Sequence, residues 1–427
     1  MLGLGFGLAV IVGSTIGVGI LATPGLVASH LHSAPAILAL WGVGGLYTLL
    51  GAVCLAELGT MLPKAGGYYV YARRAFGDWS GFGVGWTDWL TYCAVLAYAS
   101  IKLVEFAGVL VPALAEWVRP LAVSVLLAVV ALQWAGLKVS ARFQEWTTAI
   151  KCLAFLALVV AAFTLGPERA RELAPPAAAS APTWSGLVLA LQAVVIAYGG
   201  WQSALYFTEE DRDPARHLPR AMVGGLVSVL VVYLLVNLAL LAVLPLADLA
   251  GSTFPGADAA ALVAGESGKQ VITLLSVLSL LPLLNAILMI GARILFGLGR
   301  DGLVSARTAS LNEGGVPDVA MLVTLGVAVL LIATGTFVQL IALASVFLAV
   351  NYCVSCLALV ALRRREPELA RPFRAWGYPW TAALVVVGAL AFLVGVLLSD
   401  TPSALKAGGL LAAGLLGRGL YRWLVRH

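Results

Sequence analysis

Long apolar runs follow one another along the whole chain, parted only by short clusters of charge, proline and glycine. A bilayer core about 30 Å thick takes roughly 20 apolar residues of helix to cross. In hydrocarbon, every backbone N–H and C=O must find its partner within the protein. Twelve runs meet that need, at about residues 3–29, 34–62, 80–111, 120–135, 143–165, 184–207, 218–245, 269–297, 319–335, 337–362, 379–398 and 404–424. None shows the strict alternation of a membrane β-strand. Of the 427 residues 61% are hydrophobic and 11% charged, against about 25% charged in a soluble domain. The pattern predicts an all-α membrane protein of twelve transmembrane helices and excludes a water-soluble fold.

The 26 Lys and Arg residues are spread along the chain rather than gathered with aromatics on one soluble face, so no nucleic-acid partner is expected. With a cytoplasmic N-terminus, the connections on that side hold Lys64, Arg73, Arg74, Lys138, Arg142, Arg212, Arg216, Arg220, Arg300, Arg307, Arg363, Arg364, Arg365, Arg371 and Arg374. Arg418, Arg422 and Arg426 follow in the tail, whereas the opposite side holds only Arg119, Arg169, Arg171, Lys269 and Lys406. The positive-inside rule then places both termini in the cytoplasm. The run from Met1 lacks the basic start and small-residue cleavage site of a signal peptide and reads as the first span. No connection is long enough for a soluble domain, so residues 1–427 form a single transmembrane domain, with Pro175 to Pro182 as an extended external linker. The five cysteines lie in apolar runs, and Cys353-x-x-Cys356 has no second Cys or His pair near it; neither a metal site nor a cofactor is expected.

Two spans carry glycine interruptions. The first contains Gly13-Ser14-Thr15-Ile16-Gly17-Val18-Gly19, and the sixth Ala197-Tyr198-Gly199-Gly200-Trp201. Gly13 and Gly17 alone make a G-x-x-x-G packing step. The two breaks together suggest a repeat, with helices 1 to 5 over residues 3–165, helices 6 to 10 over 184–362 and helices 11 and 12 over 379–424. Five spans per half invert the second half relative to the first, and the broken helices then meet at a midplane site. Half-helix N-termini there suit a carboxylate and unwound carbonyls an ammonium. A zwitterionic amino acid satisfies both.

The string Gly13 to Ile20 with Thr23-Pro24-Gly25 resembles the first helix of amino acid permeases of the amino acid, polyamine and organocation superfamily. Ala56-Glu57-Leu58-Gly59, Pro63 to Tyr71, Ala75-Phe76-Gly77, Ala197 to Trp201 leading to Glu209-Glu210 and Pro214, Leu218 to Ala221, Arg293, Gly299 to Gly302 and Glu366 to Phe373 agree in order over almost the whole chain. The Tyr-Gly-Gly-Trp sixth helix is most similar to L-type transporters and their bacterial relatives. The resemblance implies a LeuT-type five-plus-five inverted repeat with broken helices 1 and 6. It implies a substrate carboxylate on the backbone amides of Gly17, Val18, Gly19 and Ile20. The ammonium would rest on carbonyls around Ser14, Thr15 and Ile16 and around Ile196, Ala197 and Tyr198, beside Gly199. Val18 stands where many members have Ser or Ala, and Ile196 where L-type members often have a gating Phe. Both departures weigh against large aromatic substrates and move gating toward Tyr198 and Trp201.

An ionisable side chain within a span costs at least about 2.5 to 3.5 kcal/mol at the bilayer centre and marks a functional position by default. Lys151, in Thr148 to Phe155, resembles the fifth-helix lysine that many members place where sodium-coupled cousins hold a cation. It would bond carbonyls of broken helix 1 and serve coupling, with a snorkelling lysine as the alternative. Lys102 and Glu105 can pair on one helical face. Asp88 and Glu57 would pair with cytoplasmic basic residues such as Arg73 or Arg142, with gate duty as the alternative, and Glu209, Glu210 and Asp211 would form a charge lattice with Arg212, Arg216 and Arg220 able to latch the inward gate. Arg293 reads as structural.

These features point to a secondary transporter of neutral amino acids working by alternating access, as exchanger or proton symporter, in a bacterial inner membrane. A polyamine or cationic amino acid carrier and a non-transporting amino acid sensor are the alternatives. No phosphate-binding loop of the G-x-x-x-x-G-K-[ST] kind is present, and no enzymatic activity is expected. The connection from Val111 to Pro120 lacks the cysteine that joins L-type members to an accessory glycoprotein, so no disulfide-linked subunit is expected.

Overall fold

The computed structural model describes residues 3–64, 66–134, 137–165 and 183–426. Its helices, in order, are α1 (Leu4–Thr15), α2 (Val18–Leu31), α3 (Ala34–Met61), α4 (Tyr68–Phe76), α5 (Asp78–Leu110), α6 (Val118–Trp134), α7 (Leu137–Leu165) and α8 (Trp184–Ala197). Then come α9 (Pro214–Val243), α10 (Leu246–Gly251), α11 (Pro255–Arg300), α12 (Asp318–Thr334), α13 (Phe337–Arg365), α14 (Trp380–Ser399) and α15 (Thr401–Arg426). Pro112–Trp117, Trp201–Glu210 and Ala306–Ala309 form 3-10 turns. Residues 166–182, where the sequence placed the Pro175 to Pro182 linker with Arg169 and Arg171, lie outside the described residues.

Nine helices among the described residues are long and apolar enough to cross a membrane, which makes this an all-helical, multi-pass membrane protein. The other three expected spans are each a special case. The first is split into α1 and α2, and α12 is a shorter apolar helix. α15 is long, but its sequence mixes glycines with Lys406, Arg418, Arg422 and Arg426. The expected loop 246–268 is largely helical: α10 is a short helix, and α11 begins at Pro255 and bends at Gly265, whose φ of 67° interrupts the helix.

Helix starts follow local chemistry. Thr183 accepts a hydrogen bond from the Gly186 amide at 3.1 Å to open α8. Thr336 and Gln339 form a reciprocal capping box at α13, satisfying donors that the first turn leaves open. Interiors are glued by small residues and polar bonds rather than by hydrophobicity, which drives little association in lipid. α5 packs on α4, α11 and α13; α1 lies against α7 and α9; α2 lies against α8 and α10. One end of the bundle concentrates charge. There Arg73 pairs with Asp78 and Asp301, Arg74 with Glu366, and Arg300 with Glu209. We call this end the charged face.

Candidate functional site

The expected interruption of the first span falls at Ile16 and Gly17, which leave the helical region between α1 and α2. The second falls at Tyr198 to Gly200, after which the chain continues as the 3-10 stretch Trp201–Glu210. The two breaks cross in contact. A Cβ on Gly19 would lie 2.6 Å from the Ala197 Cα, and one on Gly200 2.7 Å from the Ser14 carbonyl carbon. Gly200 also has φ +124°, a region that side chains avoid. Glycine is required there twice over, by space and by backbone angle.

Unwinding frees carbonyls, and two side chains take them up. The Lys151 ammonium, 1% exposed, donates to Gly13 O at 2.8 Å and Ile16 O at 2.5 Å. Its burial rules out the snorkelling alternative. The Tyr233 hydroxyl lies 2.6 Å from Thr15 O and 2.8 Å from Ala197 O, and so bridges the two breaks. Ser14 Oγ lies 2.9 Å from Gly200 O and 2.8 Å from Ser203 Oγ, a second side-chain link between them. At the other end of the split helix, the first amides of α2, from Val18 onward, have no partner within their own helix and form its positive end.

A cavity of about 30 Å³ opens at this crossing. In the measure where one water takes roughly 10–15 Å³, it is a narrow space with room for about two or three waters. Ser14, Thr15, Gly19, Ile196, Ala197 and Gly199 line it. Ile16, Gly17, Ile20, Tyr198 and Trp201 are buried around it without lining it. Tyr198 donates to Trp41 O at 2.9 Å, and Trp201 Nε1 donates to the Tyr352 hydroxyl at 2.8 Å. Both rings are thereby anchored away from the cavity. The backbone of Val18 is the first turn of α2; its side chain is outside the described residues.

Gly200, from the second break, also lines it, and the remaining wall comes from residues that sequence reading did not single out: Thr91, Tyr92, Val95 and Tyr98 of α5, Gln202, Leu283 and Ile287 of α11, and Leu348 of α13. The i, i+1, i+4 spacing of Thr91, Tyr92 and Val95 on one helical face was available as a signal. Nothing in a single sequence says which helix that face meets.

The charged residues pair differently from the expectation in several places. Lys102 and Glu105 do meet, at 2.7 Å. Glu57, fully buried, binds Arg363 at 2.5 Å and lies 3.5 Å from Arg371, rather than meeting Arg73 or Arg142, because the end of α13 folds over the end of α3. The Ala375 amide adds a bond of 2.6 Å to it. Asp88 has no basic partner among the described residues; it accepts a hydrogen bond from the Tyr206 hydroxyl at 2.6 Å. Glu209 and Glu210 pair with Arg300 and Arg293 of α11, and Asp211 with His217, rather than with Arg212, Arg216 and Arg220. Glu209 and Glu210, in the 3-10 stretch, thus face α11, whereas Asp211 stays paired along the chain with His217 at the start of α9.

A family model described as amino acid permease matches residues 7–408. The serine/threonine exchanger SteT of Bacillus subtilis (strain 168) is 26% identical over 433 residues, covering 98% of this chain and 95% of that protein. The Asc-type amino acid transporter 1 of Mus musculus is 30% identical over 381 residues, covering 86% of this chain and 71% of that one. The human b(0,+)-type amino acid transporter 1 is 26% identical over 414 residues, covering 94% and 82%. These relatives are transporters, not enzymes. With nearly its whole length matched, the chain belongs to the amino acid permease family.

Proposed function

We propose that this protein carries small neutral amino acids across a bacterial cytoplasmic membrane by alternating access, as an exchanger or proton symporter. The observation that carries the proposal is the crossing of the two interrupted helices, with freed carbonyls on one side and the unpaired first turn of α2 on the other. In this account the twelve spans form a LeuT-type five-plus-five inverted repeat over residues 3–165 and 184–362, with the last two helices peripheral, in a single domain. The charged face is cytoplasmic, by the positive-inside rule, and both termini lie there.

The substrate carboxylate sits on amides of Gly17, Val18, Gly19 and Ile20, an anion site at a helix N-terminus. Its ammonium sits among the Ser14 to Ile16 and Ile196 to Tyr198 carbonyls, beside Gly199. The carbonyls of Thr15 and Ala197 already receive Tyr233, but each carbonyl has a second lone pair. Backbone groups thus recognise what all amino acids share, and the wall of Thr91, Tyr92, Ile196, Gln202 and Ile287 selects the side chain. The narrowness of that space favours small side chains, some of them hydroxylated, and Ile196 keeps it so. Trp201 and Tyr198 brace the gate from behind. Lys151 holds the break of the first helix in shape and couples it to helix 5. The serine/threonine specificity in the name of SteT and the exchange it describes both fit this assignment.

Purified protein in liposomes tests it. Radiolabelled serine, threonine or alanine should enter the vesicles, and excess unlabelled small neutral amino acids should compete far better than tryptophan or lysine. Competition by polyamines or lysine instead would establish the cationic carrier. Binding with no uptake in folded protein would establish the sensor.

A further inference from the structure

Asp88 is a buried acid that the account of transport leaves without a task. It lies on α5 three and four residues before Thr91 and Tyr92, which line the cavity, and its side chain is 0% exposed. Oδ2 accepts the Tyr206 hydroxyl at 2.6 Å. Oδ1 is equally buried and has no hydrogen-bond partner among the described residues. Among the described residues, the titratable groups facing Asp88 are phenols: Tyr68 of α4, Tyr92 of its own helix, Tyr206 of the 3-10 stretch and Tyr352 of α13. Their rings interlock, Tyr92 and Tyr206 at 5.6 Å, Tyr68 and Tyr206 at 6.4 Å, Tyr68 and Tyr352 at 6.2 Å between centroids. The nearby cations are engaged elsewhere: Arg293 of α11 with Glu210, and Arg73 of α4 with Asp78 and Asp301.

An ionised carboxylate in this place has one hydrogen bond and no counter-charge among the described residues, a costly arrangement for a buried charge. A proton on Oδ1 removes the charge and leaves the Tyr206 bond intact. Position gives the proton a consequence. Tyr206 follows the second break, whereas Asp88 sits on an uninterrupted helix, so their bond ties the two elements together between the cavity-lining residues Thr91, Tyr92, Gly200 and Gln202 and the charged face. A Cβ on Gly67, in the turn before α4, would lie 2.4 Å from the Tyr206 ring, which shows how tightly that junction is packed. Parting Tyr206 from α5 would bring water to the carboxyl, where the ionised form is solvated.

We propose that Asp88 is a proton-binding site linked to the charged face: it takes up one proton from that side as the face closes and returns it as the face opens. The site rests on the alternating-access account above, and its own occupancy is measured without any transport. Infrared spectroscopy of the full-length protein in nanodiscs at neutral pH should show the C=O band of a protonated carboxylic acid, sensitive to deuterium oxide, that Asp88→Asn removes and Asp88→Glu shifts. Labelling of Thr208→Cys, a buried position at the charged face, reports opening. Normalised to the unfolded protein, it should fall as pH is lowered, by up to about tenfold per unit for one linked proton. The Asp88→Asn background should flatten that dependence.

A missing acid band in wild-type protein overturns the proposal. So does an unchanged pH dependence of labelling in Asp88→Asn. If Asp88→Asn does not fold, Asp88→Glu still decides, because it must keep the band and the pH dependence with a displaced midpoint. Failure of all amino acid uptake, with the band and the linkage present, would sink the transport account and leave the proton site standing.

Discussion

At the scale of single residues, the glycines of the two breaks are not equivalent. A Cβ on Gly17 would meet the end of the Leu283 side chain at 2.7 Å, and a leucine tip can move. On Gly19 and Gly200 it would meet backbone, at 2.6 and 2.7 Å, and Gly200 has a positive φ besides. Gly17→Ala should therefore retain amino acid binding within about tenfold, a shift of roughly 1.4 kcal/mol, whereas Gly19→Ala and Gly200→Ala should lose it; binding calorimetry on folded protein measures the difference. Lys151→Met keeps the side-chain bulk but leaves Gly13 O and Ile16 O without their donor. At about 1–3 kcal/mol for each buried group left unpaired, thermal unfolding should shift down by several degrees and exchange should slow more than protein yield falls. An exchange rate equal to wild type would reduce Lys151 to a packing residue. The breaks were legible from the strings around them and from their matching places in the two halves, not from glycine alone, since Gly44-Gly45, Gly224-Gly225 and Gly408-Gly409 lie in unbroken helices; Lys151 was legible because a lone charge in an apolar run has few other uses. Tyr233 was not legible, since a tyrosine in an apolar helix looks the same whether it faces lipid or spans two breaks.

At the scale of elements, two ion pairs tie the 3-10 stretch Trp201–Glu210 to the end of α11. The Arg293 side chain of one is 9% exposed and the Arg300 side chain of the other 37%. Glu210 and Glu209 are similarly exposed, at 31% and 33%, so the difference lies in Arg293: removing Glu210 strands its buried guanidinium, whereas an exposed pair contributes about 1 kcal/mol or less. Glu210→Gln should thus destabilise the protein and hasten opening at the charged face clearly more than Glu209→Gln, as read from thermal unfolding and from labelling at that face. Equal effects would mean that neither pair latches anything. Most helix ends lie within a few residues of where the apolar runs place them, because charge and proline clusters mark the water boundary on both sides. The segment 246–268 was misread as a loop because α10 and the start of α11 are short and mixed in polarity. Their helicity comes from packing on the rest of the bundle, such as the stacking of Phe254 on Phe106 at 3.9 Å, and not from their own pattern.

For the whole molecule, the question is what the cycle exchanges for its cargo. Vesicles loaded with an amino acid should take up label faster than empty ones if the proposed carrier is an obligatory exchanger, whereas empty vesicles filling under an inward acid gradient would mark it as a proton symporter. The order of the spans and the family were open to sequence reading. The partner of each buried charge was not, because Glu57 meets Arg363 across 306 positions and Asp88 meets Tyr206 across 118. Tyr233 shows what such long-range contacts do to the molecule. A phenol has one hydroxyl proton, and here Thr15 and Ala197 compete for it from the two interrupted helices. A tilt that favours one acceptor starves the other. The joint works as a see-saw with its fulcrum on α9, gripping one half-helix harder only by slackening its hold on the second.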